Sequence, residues 1–117
     1  MEQSKASVLR RKQFEANETE TRIALLGTII GDFEAMIAQL QGQIAAEEDR
    51  TRIKDPDHPA YSTFAKAAAK RRQNLLLSVA HTRSLLDAAK RERDAVAAQS
   101  LDLELVHSDQ SLSIAAA

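Results

Sequence analysis

The densest group of chemically capable side chains is "DPDHP" at residues 55–59, where Asp55, Asp57 and His58 stand within four positions of one another. Carboxylates and an imidazole are ligands for a divalent metal. Such a site needs three or four converging ligands, held on rigid elements and braced by a second layer of hydrogen bonds. No other histidine or acidic cluster lies at a useful spacing. A turn, by contrast, uses every residue of the segment. Pro56 and Pro59 stop a helix, Asp55 and Asp57 are turn and cap formers, and a proline suits the first turn of a following helix. The segment therefore reads as a reversal between two helices.

The other candidates for acid, base or nucleophile chemistry are scattered. His81 and His107 are isolated, with no serine and acid arranged around either, and two helices offer no pocket in which to desolvate a triad. Both read as surface or boundary residues. Glu47, Glu48 and Asp49 could be paired carboxylates but read as a solvated face. Glu47 falls at a seam position expected opposite Arg71, which predicts a modest cross-helix ion pair near the turn. No catalytic, cofactor-binding or metal residue is assigned, and the expectation is a protein that is not an enzyme.

The elements that carry these residues follow from composition and period. Aromatics make up 3% of the 117 residues, with Gly 3 and Pro 2, so few breakers interrupt a chain rich in good helix formers. Ile23, Leu26, Ile30, Phe33, Ile37, Leu40 and Ile44 repeat at spacings of three and four, the period of a coiled-coil seam. The same register reaches back through Thr19, Ala16 and Lys12 to Leu9. A second series runs from Leu75 through Val79, Thr82, Leu86, Ala89, Arg93, Val96 and Ser100 to Leu103, with Leu76, Leu77 and Leu85 beside it. Laid antiparallel with Ile44 against Leu75, seam meets seam throughout. The predicted fold is all-α: two long helices forming an antiparallel coiled-coil hairpin over residues 1–107, helix about 8–50, turn about 54–60 and helix about 61–105. Residues 108–117, within the small, polar "HSDQSLSIAAA", are expected to form a flexible C-terminal tail.

Net charge of −1 and zero cysteines recommend neither nucleic acid nor an anionic membrane, and leave no disulfide or thiolate chemistry. The start lacks a signal-peptide pattern, and "IALLGTIIGDF" is broken and short of the ~20 residues of a bilayer span. A soluble, cytoplasmic protein without membrane insertion is expected. "LRRK" at Arg10, Arg11 and Lys12 precedes a heptad series, as in a basic zipper. Yet Glu2, Glu15, Glu18 and Glu20 offset its cations, and no continuous basic region follows. Lys66 and Lys70 are four apart and repel, which an acidic partner surface would relieve. Tyr61 and Phe64 are three apart at the base of the second helix. Two readings fit them: caps on the end of a narrow core, or an exposed aromatic anchor of the type that dominates protein interfaces.

The order "DFEAMIAQLQGQIAAEEDRTRIKDPDHPAYSTFAKAAAKRRQNLL", with Tyr61-x-x-Phe64 leading a basic, Ala-rich helix, resembles the FliJ family of flagellar export proteins in its shorter alphaproteobacterial form. The resemblance covers about residues 8–105. It implies a cytoplasmic coiled-coil stalk at the flagellar base, in type III protein export, serving motility. The implied partners are the export ATPase ring, the membrane export gate and export chaperones. Gate-facing positions carried over are Tyr61, Phe64, Ala68 and Arg71, with Leu75 beyond them, and the ATPase-facing end would carry Arg10, Arg11 and Lys12. The other reading is a self-associating coiled-coil adaptor or structural protein.

Overall fold

The computed structural model describes residues 4–116 and contains two α-helices, α1 (Lys5–Thr51) and α2 (Thr63–Ala116), with no strand among the described residues. Local chemistry sets each end. The Ser4 hydroxyl oxygen accepts the Ser7 N–H at 3.1 Å, a serine N-cap that starts α1 ahead of the expected residue 8. At the other end Arg52 adopts φ 64°, the left-handed conformation of a helix C-cap usually given to glycine. Its N–H donates to the Glu48 carbonyl at 2.9 Å.

α2 begins at Thr63, later than expected, because Ser62 is its N-cap: the hydroxyl oxygen accepts the Ala65 N–H at 3.1 Å. It runs on to Ala116, past the expected end at 105, so residues 108–116 are helical where the sequence pattern suggests a tail. No glycine or proline follows Pro59 to break the backbone ladder. Ala117 lies outside the described residues.

The described chain forms two compact units, a turn unit of Leu26–Leu85 and a terminal unit of Met1–Leu25 with Leu86–Ala117. In the turn unit α1 and α2 pack antiparallel. Glu48 accepts from Tyr61 at 2.9 Å and Glu47 from Ser62 at 2.8 Å, while Glu34, further back on α1, pairs with Arg83, further on in α2. The terminal unit has the same sense, with Arg22 paired to Glu92 at 3.1 Å and Glu20 to Arg93 at 3.6 Å.

The 4-3 series are the buried faces. In α1, Leu9, Lys12, Ala16, Thr19, Ile23, Leu26, Ile30, Phe33, Ile37, Leu40 and Ile44 are all buried or half-buried. The same holds in α2 for the series from Leu75 to Leu103, while Leu76, Leu77 and Leu85 are exposed. Polar residues in the seam are handled locally. Thr19 and Thr82 are 1% and 7% exposed, and their hydroxyls donate to the carbonyls of Glu15 and Ser78, one turn back, at 2.9 and 2.7 Å. A satisfied hydroxyl can be buried without the penalty of an orphaned one. In the terminal unit the Lys5 ammonium is enclosed with no hydrogen-bond partner among the described residues.

The register differs from the expected one. Ile44 clusters with Ala65 and Ala68, backed by Leu40, Tyr61 and Ala69, and not with Leu75. The return helix is thus displaced by at least one heptad, from Leu75 back to Ala68. The cause is visible in α2, whose seam continues backwards from Leu75 through Arg72 to Ala68 and Ala65. Those alanines are small enough for α1 to approach closely and seat Ile44. By length and composition, α1 also holds an 18-residue stretch of mean hydropathy 1.5 that could cross a membrane, and 11% of that stretch is buried inside this protein.

The seam predicts where substitutions are felt. Ile37→Ala is expected to lower the unfolding free energy by about 2–4 kcal/mol through lost burial and a residual cavity. Leu77→Ala, at a side chain 61% exposed, is expected to change it by less than about 0.5 kcal/mol. Urea unfolding followed by helical circular dichroism measures both.

Candidate partner-binding surface at the turn

The residues of "DPDHP" serve the turn itself. Asp55 accepts the Asp57 N–H on Oδ1 at 3.0 Å, and its carbonyl accepts the His58 N–H at 3.0 Å. The His58 Nδ1 accepts the Ala60 N–H at 3.0 Å, and the His58 carbonyl accepts the Tyr61 N–H. These are Asx-type and tight-turn bonds that fold the segment back within a few residues. No group of three or more His, Cys, Asp or Glu is placed to hold a metal ion among the described residues. His81 is exposed, and the side chain of His107 lies outside the described residues.

The turn is joined to the end of α1 by two carboxylates. Glu47 receives a bidentate pair from Arg50, with Nη2 at 2.6 Å and Nε at 3.1 Å, and also the Ser62 hydroxyl. Arg71, the expected partner, is exposed and takes no part. In the observed register Glu47 meets the cap of α2 instead of its third turn. The hydrogen bonds from Arg50 and Ser62 hold the Glu47 pKa down at about 2, against an ordinary 4.5, and the same contact raises Arg50. Tyr61 is half-buried. Burial raises its pKa above the ordinary value, and the bond it donates to Glu48 adds to the shift.

Tyr61 and Phe64 consequently part company. Because helix starts only at Thr63, they do not share a helical turn; Tyr61 points inward to Glu48 and packs on the Ile44 cluster, whereas Phe64 is 56% exposed. Each of the two sequence readings fits one residue. Ala68 is not a surface position: it is 5% exposed and faces Ile44. Its place on the outer face is taken by Ala67, which with Phe64 and Arg71 follows the i, i+3, i+7 spacing of one helix face, all three exposed. Lys66 and Lys70 are exposed beside them, so the face is one aromatic ring within a basic surround. In the terminal unit Arg10 is exposed at a groove lined by Leu9, Gln13 and Leu101. Lys12 turns to the seam and pairs with Glu15 at 3.5 Å.

One residue of the turn escaped sequence reasoning, Ser62, and Glu47 and Glu48, expected on a solvated face, are half-buried against it and Tyr61. A serine just before a helix is a cap signal, but Pro59 offered an earlier start and concealed it. Comparison with protein-family models, with curated proteins and with solved structures finds no match to this chain.

The Glu47 interactions give the turn a pH signature. Since the folded pKa lies below the ordinary one, its stabilisation is fully present above pH 4.5 and is lost as pH falls toward about 2. Between those values the thermal midpoint of the native chain is expected to drop more than that of Glu47→Gln. Melting curves of the two proteins across that window, compared by difference, check it.

Proposed function

We propose that this chain is a non-enzymatic coiled-coil stalk protein of flagellar protein export, binding the export ATPase ring through its terminal unit and the membrane export gate through the Phe64 face of the turn unit. One observation carries the reading: an aromatic side chain, in a chain with four, stands 56% exposed at the base of α2, where the turn fixes it outside the seam. Exposed aromatics held on rigid elements are the usual anchors of protein interfaces. Lys66, Lys70 and Arg71 around it suit an acidic partner surface, whose carboxylates would also relieve their mutual repulsion.

The gate contact in this proposal is made by Phe64, Ala67 and Arg71, with Tyr61 as a brace behind them and Ala68 inside the seam. Arg10 and Arg11 are the proposed contacts of the ATPase-facing end. The setting is the cytoplasmic side of the flagellar base, with export chaperones as further partners. The second reading, a self-associating coiled coil, is favoured by a separate observation: Leu76, Leu77 and Leu85 stand exposed on α2 beside the seam.

The proposal is tested with purified gate cytoplasmic domain and export ATPase as baits. Phe64→Ala is expected to weaken gate capture by about tenfold or more, the loss of one interface anchor. Helicity and ATPase capture should be unchanged. Undiminished gate capture by a fully helical Phe64→Ala protein would remove Phe64 from the account, and capture of neither bait would remove the export role.

A further inference from the structure

One flank of the turn unit carries a pattern that the seam does not use. Ile29 and Met36, seven apart on α1, are half-buried beside the seam. Phe64, Arg71 and Leu85, at multiples of seven on α2, are exposed. The groove that Met36 and Gln43 form with Arg71 puts these two rows on the same side. Asp32, one helical turn from both Ile29 and Met36, is exposed there too. Phe64 and Leu85 are 56% and 46% exposed, in a chain with 8518 Å² of accessible surface.

The order along this flank is self-complementary. With Ile44 level with Ala65 and Ala68, Arg71 stands level with α1 residues 38–41, Phe64 with residues 45–48 and Leu85 with residues 24–27. Read toward the turn, the flank runs Leu85 and Ile29, then Asp32 and Ser78, Met36, Arg71, and finally Gln43 and Phe64, so that an acid and a base flank the methionine between apolar ends. Asp32 and Arg71 lie on opposite sides of Met36, each about 6 Å from it along the axis at 1.5 Å per residue. Within one chain they are therefore roughly 11 Å apart along the axis, and neither has an ion pair among the described residues.

We propose that this flank binds a second copy of the chain about a two-fold axis through Met36, so that Asp32 of each copy pairs with Arg71 of the other and Phe64 covers Ile29 and Leu85 of the other. The two turn units then form a four-helix bundle with a closed, isologous interface. Two symmetry-related ion pairs fix the register, and the apolar ends supply the buried area. The dimer covers Phe64. Self-association and capture of a partner through Phe64 accordingly exclude one another, and the flank is a self-masking surface. This inference rests on the self-association reading, to which it assigns a surface and a symmetry, and does not depend on the export reading.

Sedimentation equilibrium of the full chain, with no other protein present, tests it. The native protein is expected to pass from monomer to dimer with rising concentration up to about 100 μM. Asp32→Arg sets arginine against arginine at both symmetric contacts, and is expected to weaken the dimer by about tenfold or more. Adding Arg71→Asp to the same chain restores opposite charges and is expected to recover the dimer, with helicity constant across the series. A monomer throughout the concentration range, a dimer indifferent to Asp32→Arg, failure of the double variant to recover, or growth beyond a dimer would each overturn the proposal.

Discussion

The structure depends on the packing of Ile44 against Ala65 and Ala68. A long pair of helices joined by a short connection has many registers that satisfy a repeating apolar seam, since a slide of one heptad brings like residues back to like positions. The contact nearest the turn removes that freedom. Here a β-branched residue near the end of α1 fits two alanines in the first turns of α2, across a connection of residues 52–62.

The surface near the turn follows from that contact. Once α2 begins beside Ile44, Ser62 meets Glu47 and Tyr61 meets Glu48, so the cap of one helix is bonded to the last turn of the other. Arg50 completes the first of these, and the left-handed Arg52 closes α1 immediately afterwards. Phe64 is then set one residue before the buried Ala65 and cannot reach the seam. Its exposure follows from its place beside the α2 seam, and both the partner-binding reading and the self-masking reading rest on it.

Much of the fold is legible in the residues alone. The 4-3 spacing of large apolar residues from Ile23 to Ile44 marks the buried face of α1, the same period reaches back through Thr19, Ala16 and Lys12, and in α2 even Thr82, Arg93 and Ser100 sit where the period puts them. Register is not legible in the same way. Ala65, Ala68 and Arg72 continue the α2 seam, but alanine and arginine give little apolar signal, so the visible series starts a heptad late. The reach of α2 to Ala116 is hidden for a related reason: serine, aspartate and histidine lack a clear period, although nothing there breaks a helix. At the surface, the spacing of Tyr61 and Phe64 suggests a shared face only if the helix already includes both, and the Ser62 cap excludes that. The residues alone leave Phe64 open between core cap and exposed anchor, and Ala68, placed on the outer face by resemblance, lies where the α2 period continued back from Leu75 puts the seam.

The claim on which the account rests is therefore the level at which the helices meet. The chain has no cysteine, so engineered pairs form disulfides against a clean background, and a bond requires Cα atoms within about 7 Å. A heptad displacement moves a residue by roughly 10 Å along the helix axis, enough to separate the alternatives. Oxidation of Ile44→Cys combined with Ala68→Cys is predicted to give an efficient intramolecular disulfide, while Ile44→Cys combined with Leu75→Cys gives none. The opposite pattern, cross-linking to position 75 and not to 68, would contradict the account.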